Sequence, residues 1–494
     1  MTIRTGTGTG TANANGTKPA TGTGAGAAEG VAAGAGAPAA PGVAAGAGVT
    51  AGAVLRRDAL HGSLGSPAMG SINFLNEVMG RFPDAISFAP GAPHTSFFAE
   101  IDTARHTARY LRHLEEERGL GREQAERLLY QYGPSRGLIN ALVADALRTD
   151  QGIDVPPESL VITVGCQEAM LLALRALVAS PADLVAVVNP CFVGLSGAAS
   201  VLGVDLVPVD DTEEDTGGTG GGTEGGIDFA QLDEVCRAAR RAGRRIRALY
   251  AAPDFSNPSG GFMSLEARHR LLAVAEREDF LVLEDNAYAF TAEQPGALPP
   301  LKALPGGERV VHLGTFAKVC MPGARVGYVV ADQPVRDASG RTGLLADELA
   351  TLKSMVTVNT SPLSQAVIGG ILLEHGGSLA SVVRAKAELY QRNLRLLLDA
   401  LDRGLGPGTG APAGVSWNRP RGGFFVRVRL PVAADERLLE RSAREFGVLW
   451  TPMSHFYLGD GGDRQLRLAC SYLDPDTIEE GVVRLTRFLH AVCP

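Results

Sequence analysis

A lysine placed just beyond an apolar run is the residue of this chain that most plainly invites chemistry. The run 310–313 is followed by Gly314-Thr315-Phe316-Ala317-Lys318 and then Pro322-Gly323-Ala324-Arg325. Lysines mostly lie on solvated surfaces. One at the end of a buried strand is partly desolvated, and the lowered pKa that follows makes its amine a nucleophile able to form a Schiff base. The Thr315 hydroxyl and the Arg325 guanidinium on either side suit phosphate oxygens. Two more apolar runs end in reactive groups. After 281–283 come Asp285 and Tyr288, and a carboxylate there can keep a ring nitrogen protonated so that the ring withdraws electrons. After 161–164 come Gly165-Cys166-Gln167 and a helical pattern, whose first backbone N–H groups favour an anion. Each group alone has a structural alternative: a surface charge, a capping Asp beside a core Tyr, a glycine turn.

The elements that must position these residues follow from the hydropathy pattern. Short apolar runs at 160–164, 184–188, 246–250, 280–283, 310–313 and 326–330 alternate with amphipathic stretches such as 168–178 and 265–276. β-Rich runs without polar alternation fit strands covered on both faces, which predicts an α/β fold with a mostly parallel sheet. In such sheets ligands sit beyond the carboxyl ends of the strands, where Gly165, Asp285 and Lys318 all fall. The last third reads differently: helical patterns at 344–357 and 379–401, strand-like 423–430, 448–450 and 465–469, then a helix from residue 475, together a smaller α+β domain. Residues 1–53, almost wholly Gly, Ala and Thr with some Pro and Asn, offer little to bury, and a disordered tail is expected. The second low-complexity stretch, 210–226, reads as a surface-loop insertion.

These motifs, in this order, resemble the fold-type I pyridoxal-5'-phosphate enzymes, and among them the class I/II aminotransferases, from about Asp84 to the end of the chain. Tyr132-Gly133-Pro134 with Gly137 is similar to the segment whose tyrosine reaches the cofactor phosphate of a neighbouring subunit. Asn189-Pro190-Cys191-Phe192 resembles the segment whose aromatic ring stacks on the pyridine. Asn257-Pro258-Ser259-Gly260 resembles the turn whose asparagine donates to the phenolate oxygen, and Asp285-Asn286-Ala287-Tyr288 the element that holds the ring nitrogen. The stretch from Thr315 to Lys318 with Arg325 resembles the Schiff-base and phosphate segment. Arg467-Leu468 resembles the arginine that takes the substrate α-carboxylate, and Gly91, in Phe88-Ala89-Pro90-Gly91, the segment that closes over the substrate. Two positions depart from the pattern: Ala317 stands where serine is frequent, and Cys166 where serine or alanine is.

The resemblance implies pyridoxal 5'-phosphate as cofactor, an amino acid and a 2-oxo acid as substrates, and a homodimer with shared sites. It implies a domain plan of 54–125 completing the small domain and closing over substrate, 126–355 as the cofactor-binding large domain, and 356–494 as the small domain. A closer resemblance, on 71–78, 83–91, 353–362 and 450–456, is to hydroxyphenylglycine-type transaminases of peptide-antibiotic pathways. It implies transfer between an aromatic amino acid and an arylglyoxylate. Phe74, Trp450, His455, Phe456 and Tyr457 are candidates for the substrate wall, and core positions are the alternative for each.

Two other functions remain to be weighed. Oxidation or γ-substitution of a different amino acid would use the same cofactor, since fold does not fix function. A regulator carrying an aminotransferase-like domain would need a basic helix-turn-helix, which the Gly/Ala/Thr tail cannot supply. The formal net charge of −8 and the absence of a basic run argue against a nucleic-acid partner. Six scattered cysteines without CxxC spacing predict reduced thiols and no metal site, and no apolar run approaches bilayer length. A cytoplasmic location away from membranes is expected.

Overall fold

The computed structural model describes residues 55–66, 69–70, 77–213, 225–294, 296 and 298–494. The expected tail and Phe74 lie outside the described residues.

Eight strands form the main sheet: β1 (Leu160–Thr163), β2 (Asp183–Asn189), β3 (Leu206–Glu213), β4 (Gly225–Ile227), β5 (Arg245–Ala251), β6 (Leu281–Asn286), β7 (Val310–Thr315) and β8 (Gly327–Val330). Their order is β1-β8-β7-β6-β5-β2-β3-β4. β3, β2, β5, β6 and β7 run parallel, β8 is antiparallel to both its neighbours, and β4 is antiparallel to β3. Strand periodicity explains the unbroken apolar runs. Val185 and Val187 of β2 pack toward the helices Gly165–Leu177, Val193–Leu202 and Leu345–Val356. Leu184 and Ala186 pack toward Phe229–Arg241 and Leu265–Glu278 on the other face. The fold is the expected α/β arrangement with a mostly parallel sheet.

The insertion at 210–226 differs from the loop expected. β3 continues through Glu213 and β4 resumes at Gly225, with Asp211 opposite Ile227 and Thr212 opposite Gly226. Polar residues continue the ladder because main-chain hydrogen bonds, rather than apolar side chains, hold this arm.

A second sheet of four antiparallel strands comprises β9 (Ser416–Trp417), β10 (Phe425–Arg429), β11 (Thr451–Pro452) and β12 (Gln465–Ala469), in the order β9-β10-β12-β11. It packs with Ala380–Leu405 and Pro475–Val492 around a separate core that contains Phe88, Trp450 and Phe488. Trp450 is fully buried there and donates to Ser442 Oγ at 3.1 Å, so it is a core residue rather than pocket wall.

The helix Pro362–Glu374, beyond the boundary read at 355, packs on Thr103–Glu116 and Asn140–Gln151 in one core with Ile162, Phe316 and Tyr328 of the cofactor side. Among the described residues of the stretch 54–125, only those near Val78–Phe88 join the small-sheet core, and the helix Thr103–Glu116 does not. Gly369 and Gly370 allow this crossing: a Cβ on Gly370 would run into the His106 carbonyl, and one on Gly369 would come 2.8 Å from the Tyr110 ring. Helix propensity alone favours alanine over glycine by about 1 kcal/mol. A backbone carbonyl cannot swing aside, so Gly370→Ala is expected to cause a net loss of about 1–3 kcal/mol, measured as a fall in the urea unfolding midpoint.

Candidate active site

Several helices of the protein start on a polar cap. Asp228 accepts from Ala230 N and Gln231 N, Ser264 from Ala267 N, and Asp102 from Arg105 N. The helix Gly165–Leu177 starts on Val164 with no side-chain cap. Its first N–H groups are therefore left without an intrahelical or side-chain acceptor. Gly165 has φ +73, and a Cβ there would lie 2.5 Å from Arg325 Nη2, so the bare glycine lets the guanidinium reach the helix start. Arg325 itself holds φ +50, a left-handed conformation rare for a side chain of its size. Thr315 Oγ1 accepts from Ala317 N at 3.1 Å, which leaves its own proton to donate.

Asp285, at the carboxyl end of β6, is buried and held by neutral donors: Tyr250 donates its hydroxyl to Oδ2 at 2.6 Å, and Cys166 Sγ lies 3.9 Å from Oδ1. Burial pushes its carboxyl above the usual range, and the Tyr250 hydrogen bond opposes that shift. Lys318 Nζ donates to the Gly91 carbonyl at 2.7 Å and lies 6.0 Å from the Tyr288 ring centroid. Burial, then the positive charges of Arg467 and Arg325, lower its pKa from 10.5 to about 8. Gln167 Nε2 donates to the Gly194 carbonyl at 2.6 Å. A Cβ on Gly194 would collide with both Gln167 and the Phe192 ring, which places these two side chains together.

Arg467, on β12, is 5 % exposed and has only neutral acceptors. Nη1 donates to Asn257 Oδ1 at 2.5 Å, and Nη2 to the Ala89 carbonyl at 2.7 Å and Thr451 Oγ1 at 3.3 Å. Its guanidinium carbon lies 4.4 Å and 4.8 Å from the Phe425 and Phe456 ring centroids. Burial lowers even its pKa, to about 10. Tyr288 hydrogen-bonds Asn257 and is raised by burial.

The structure thus gathers Gly165, Cys166, Asn257, Asp285, Tyr288, Thr315, Lys318, Arg325 and Arg467 with Gly91, and sets Gln167 against Phe192. Tyr132 stands apart, 85 % exposed. His455 faces Glu436 at 3.7 Å, Phe456 lies against Arg467, and Tyr457 bonds Gln465. Sequence reading missed Tyr250, Thr451, Phe425 and the Ala89 carbonyl. Tyr250 had one signal, a hydroxyl closing an otherwise mainly aliphatic run; a main-chain carbonyl has none.

Residues 103–485 match the model of the aminotransferase class I and II family. The chain belongs to that family. It is 46 % identical over 437 residues to the (S)-3,5-dihydroxyphenylglycine transaminase of Amycolatopsis orientalis, covering 88 % of this chain and 95 % of the relative. It is 32 % identical to the 2-aminoadipate transaminase of Thermus thermophilus, covering 82 % and 90 %. The structure of Pyrococcus horikoshii kynurenine aminotransferase superposes with a TM-score of 0.69 at 26 % identity, covering 84 % and 93 %. That of the Thermus thermophilus α-aminoadipate aminotransferase, complexed with N-(5'-phosphopyridoxyl)-L-leucine, gives 0.66 at 29 %, covering 86 % and 97 %.

The protein is a pyridoxal-5'-phosphate-dependent aminotransferase of fold type I, and its residues fit that cofactor. An uncapped helix start beside Arg325 suits a phosphate. A buried carboxylate with neutral donors lacks the positive partner that a protonated ring nitrogen supplies. The aminotransferase's Lys318 is neutral above about pH 8, and only the neutral amine attacks a carbonyl. The rate at which cofactor-free enzyme takes up pyridoxal 5'-phosphate, followed by visible absorbance, is therefore expected to rise with pH and level off above about 8. An ordinary lysine would keep the rate rising toward pH 10.

Proposed function

We propose that this aminotransferase moves an amino group between an aromatic amino acid and an arylglyoxylate, giving a hydroxyphenylglycine-type amino acid for peptide-antibiotic biosynthesis. The identity of 46 % over 88 % of the chain to a dihydroxyphenylglycine transaminase carries this reading. The aromatic rings of Phe425 and Phe456 against Arg467 support it, since a planar apolar side chain suits such walls.

Pyridoxal 5'-phosphate, when bound, supplies a carbonyl carbon for amines and a ring that stabilises negative charge at the substrate Cα. The N–H groups of Gly165, Cys166 and Gln167, with Thr315 and Arg325, would hold its phosphate. Asp285 would hold the ring nitrogen's proton, Phe192 would stack on the ring, and Asn257 and Tyr288 would donate to the phenolate oxygen. Arg467 would bind the substrate α-carboxylate through its planar fork, with Asn257 and Gly91 completing the enclosure. Lys318, its pKa lowered to about 8 by its surroundings, would take the Cα proton as general base and return it as general acid.

The exposed apolar side chains of Tyr130, Tyr132, Met355 and Val356 support a homodimer, in which Tyr132 of each copy would serve the other's phosphate site. All six cysteines are free, and no helix of the described residues is long and apolar enough to cross a membrane; a cytoplasmic location accords with both.

Incubation of tyrosine with 4-hydroxyphenylglyoxylate is expected to yield 4-hydroxyphenylglycine by amino-acid chromatography, and Lys318→Ala to lower turnover by at least about 1,000-fold, consistent with loss of its combined roles. Turnover that consumes no oxo acid and makes no new amino acid would exclude transamination. Transfer confined to other oxo acids would exclude the arylglycine assignment alone.

A further inference from the structure

Arg467 shares its face of the small sheet with a second guanidinium. Arg427, on β10, is its register partner across the antiparallel pair β10/β12, and directly opposed residues of such a pair point the same way. Phe425, two residues earlier on β10 and so on that face, is the ring beneath Arg467. Arg427 is 2 % exposed. Two buried guanidiniums carried on one face of a sheet each need acceptors.

Their partners divide the work. Arg467 has neutral oxygens only, whereas Arg427 has a carboxylate: Asp211 Oδ2 lies 3.3 Å from Arg427 Nη2. Arg427 Nη1 is also 3.5 Å from the Tyr457 hydroxyl, which donates to Gln465 Oε1 at 3.1 Å. Asp211 comes from the other sheet, on the β3/β4 arm opposite Ile227. The Tyr457 segment is fastened to that same sheet, since Leu458 N donates to Asn189 Oδ1 at 2.9 Å and Cys191 N to the Phe456 carbonyl at 2.9 Å. The arm that borders the low-complexity stretch therefore reaches the strand beside the carboxylate-binding arginine.

We propose that Asp211 and Arg427 are positioning residues for substrate binding. The Asp211 carboxylate balances the charge of Arg427 and anchors β10 to the main sheet, so that Arg467 alone presents an unbalanced cation to the substrate carboxylate, in register with Asn257. This rests on the reading of Arg467 as the carboxylate site.

The test uses the cofactor-loaded enzyme and 4-hydroxyphenylacetate, a carboxylate with no amino or oxo group to react, its dissociation constant read from the cofactor's visible absorbance. Asp211→Asn is expected to weaken the probe about tenfold and to raise KM for amino and oxo acid alike, with kcat within about threefold. Asp211→Glu is expected to recover most of the loss. Arg427→Lys, which keeps the charge but not the fork, carries the same expectation at smaller size and stands in should Asp211→Asn fail to hold cofactor. Unchanged probe affinity and KM in the variants that hold cofactor would overturn the proposal, even with a lowered thermal midpoint, and so would a fall in kcat alone. Arg467→Ala is the separate control: if it still binds the probe with native affinity, the carboxylate-site reading itself fails.

Discussion

Charges buried without ionic partners are the constraint around which this protein is built. Elsewhere in the interior several charges are paired, Arg268 with Asp254 at 2.6 Å and Lys353 with Glu168 at 2.6 Å. In the cleft, Arg467 leans on a carboxamide, a hydroxyl and a carbonyl, Asp285 on a phenol and a thiol, and Lys318 on a carbonyl. An uncompensated buried charge is costly, so the scaffold must hold each one without neutralising it. That cost is also the source of affinity, because a ligand that brings the missing counter-charge relieves it.

Holding such groups in place takes contacts between parts of the chain far apart in sequence. Asp285 and Lys318 follow the ends of parallel strands, while Arg467 is on the small sheet. The segment 86–91 ties the two together. Ile86–Ser87 pairs with Val448–Leu449, Ala469 N donates to the Phe88 carbonyl at 2.7 Å, and the Ala89 and Gly91 carbonyls accept from Arg467 and Lys318. Gly91 has no room for a side chain, since a Cβ there would lie 2.5 Å from Phe425 Cζ. A segment with little secondary structure of its own thus contributes main-chain acceptors to both cationic groups.

The end of the cleft at Gly165 and Arg325 follows the same logic. A helix that begins without a cap, a glycine at φ +73 and an arginine at φ +50 each forgo some local stability. Together they concentrate positive potential at a place suited to an anion. Lys353, Glu168 and Thr357 brace that helix from behind: Glu168 accepts from Val164 N as well as from Lys353 and Thr357.

The order of motifs in the sequence determined the family and the cofactor, and it pointed to candidate site residues because strand ends read as apolar runs and several reactive residues lie within a few positions of one. Lys318 and Asp285 were legible for that reason, and Asn257 through the resemblance of its turn. What tertiary structure decided were the relations that spacing does not encode: that Tyr250 and Cys166 converge on Asp285, that Trp450 is core while Phe456 lies under Arg467, and that Pro362–Glu374 packs with the cofactor side. The arm carrying Asp211 is the clearest case. Its composition reads as loop because main-chain pairing leaves no apolar signature, and its link to Arg427 spans 216 residues. Local patterns report which face a residue shows its own element. Which partner waits on that face is set by packing between elements, and only the folded chain contains it.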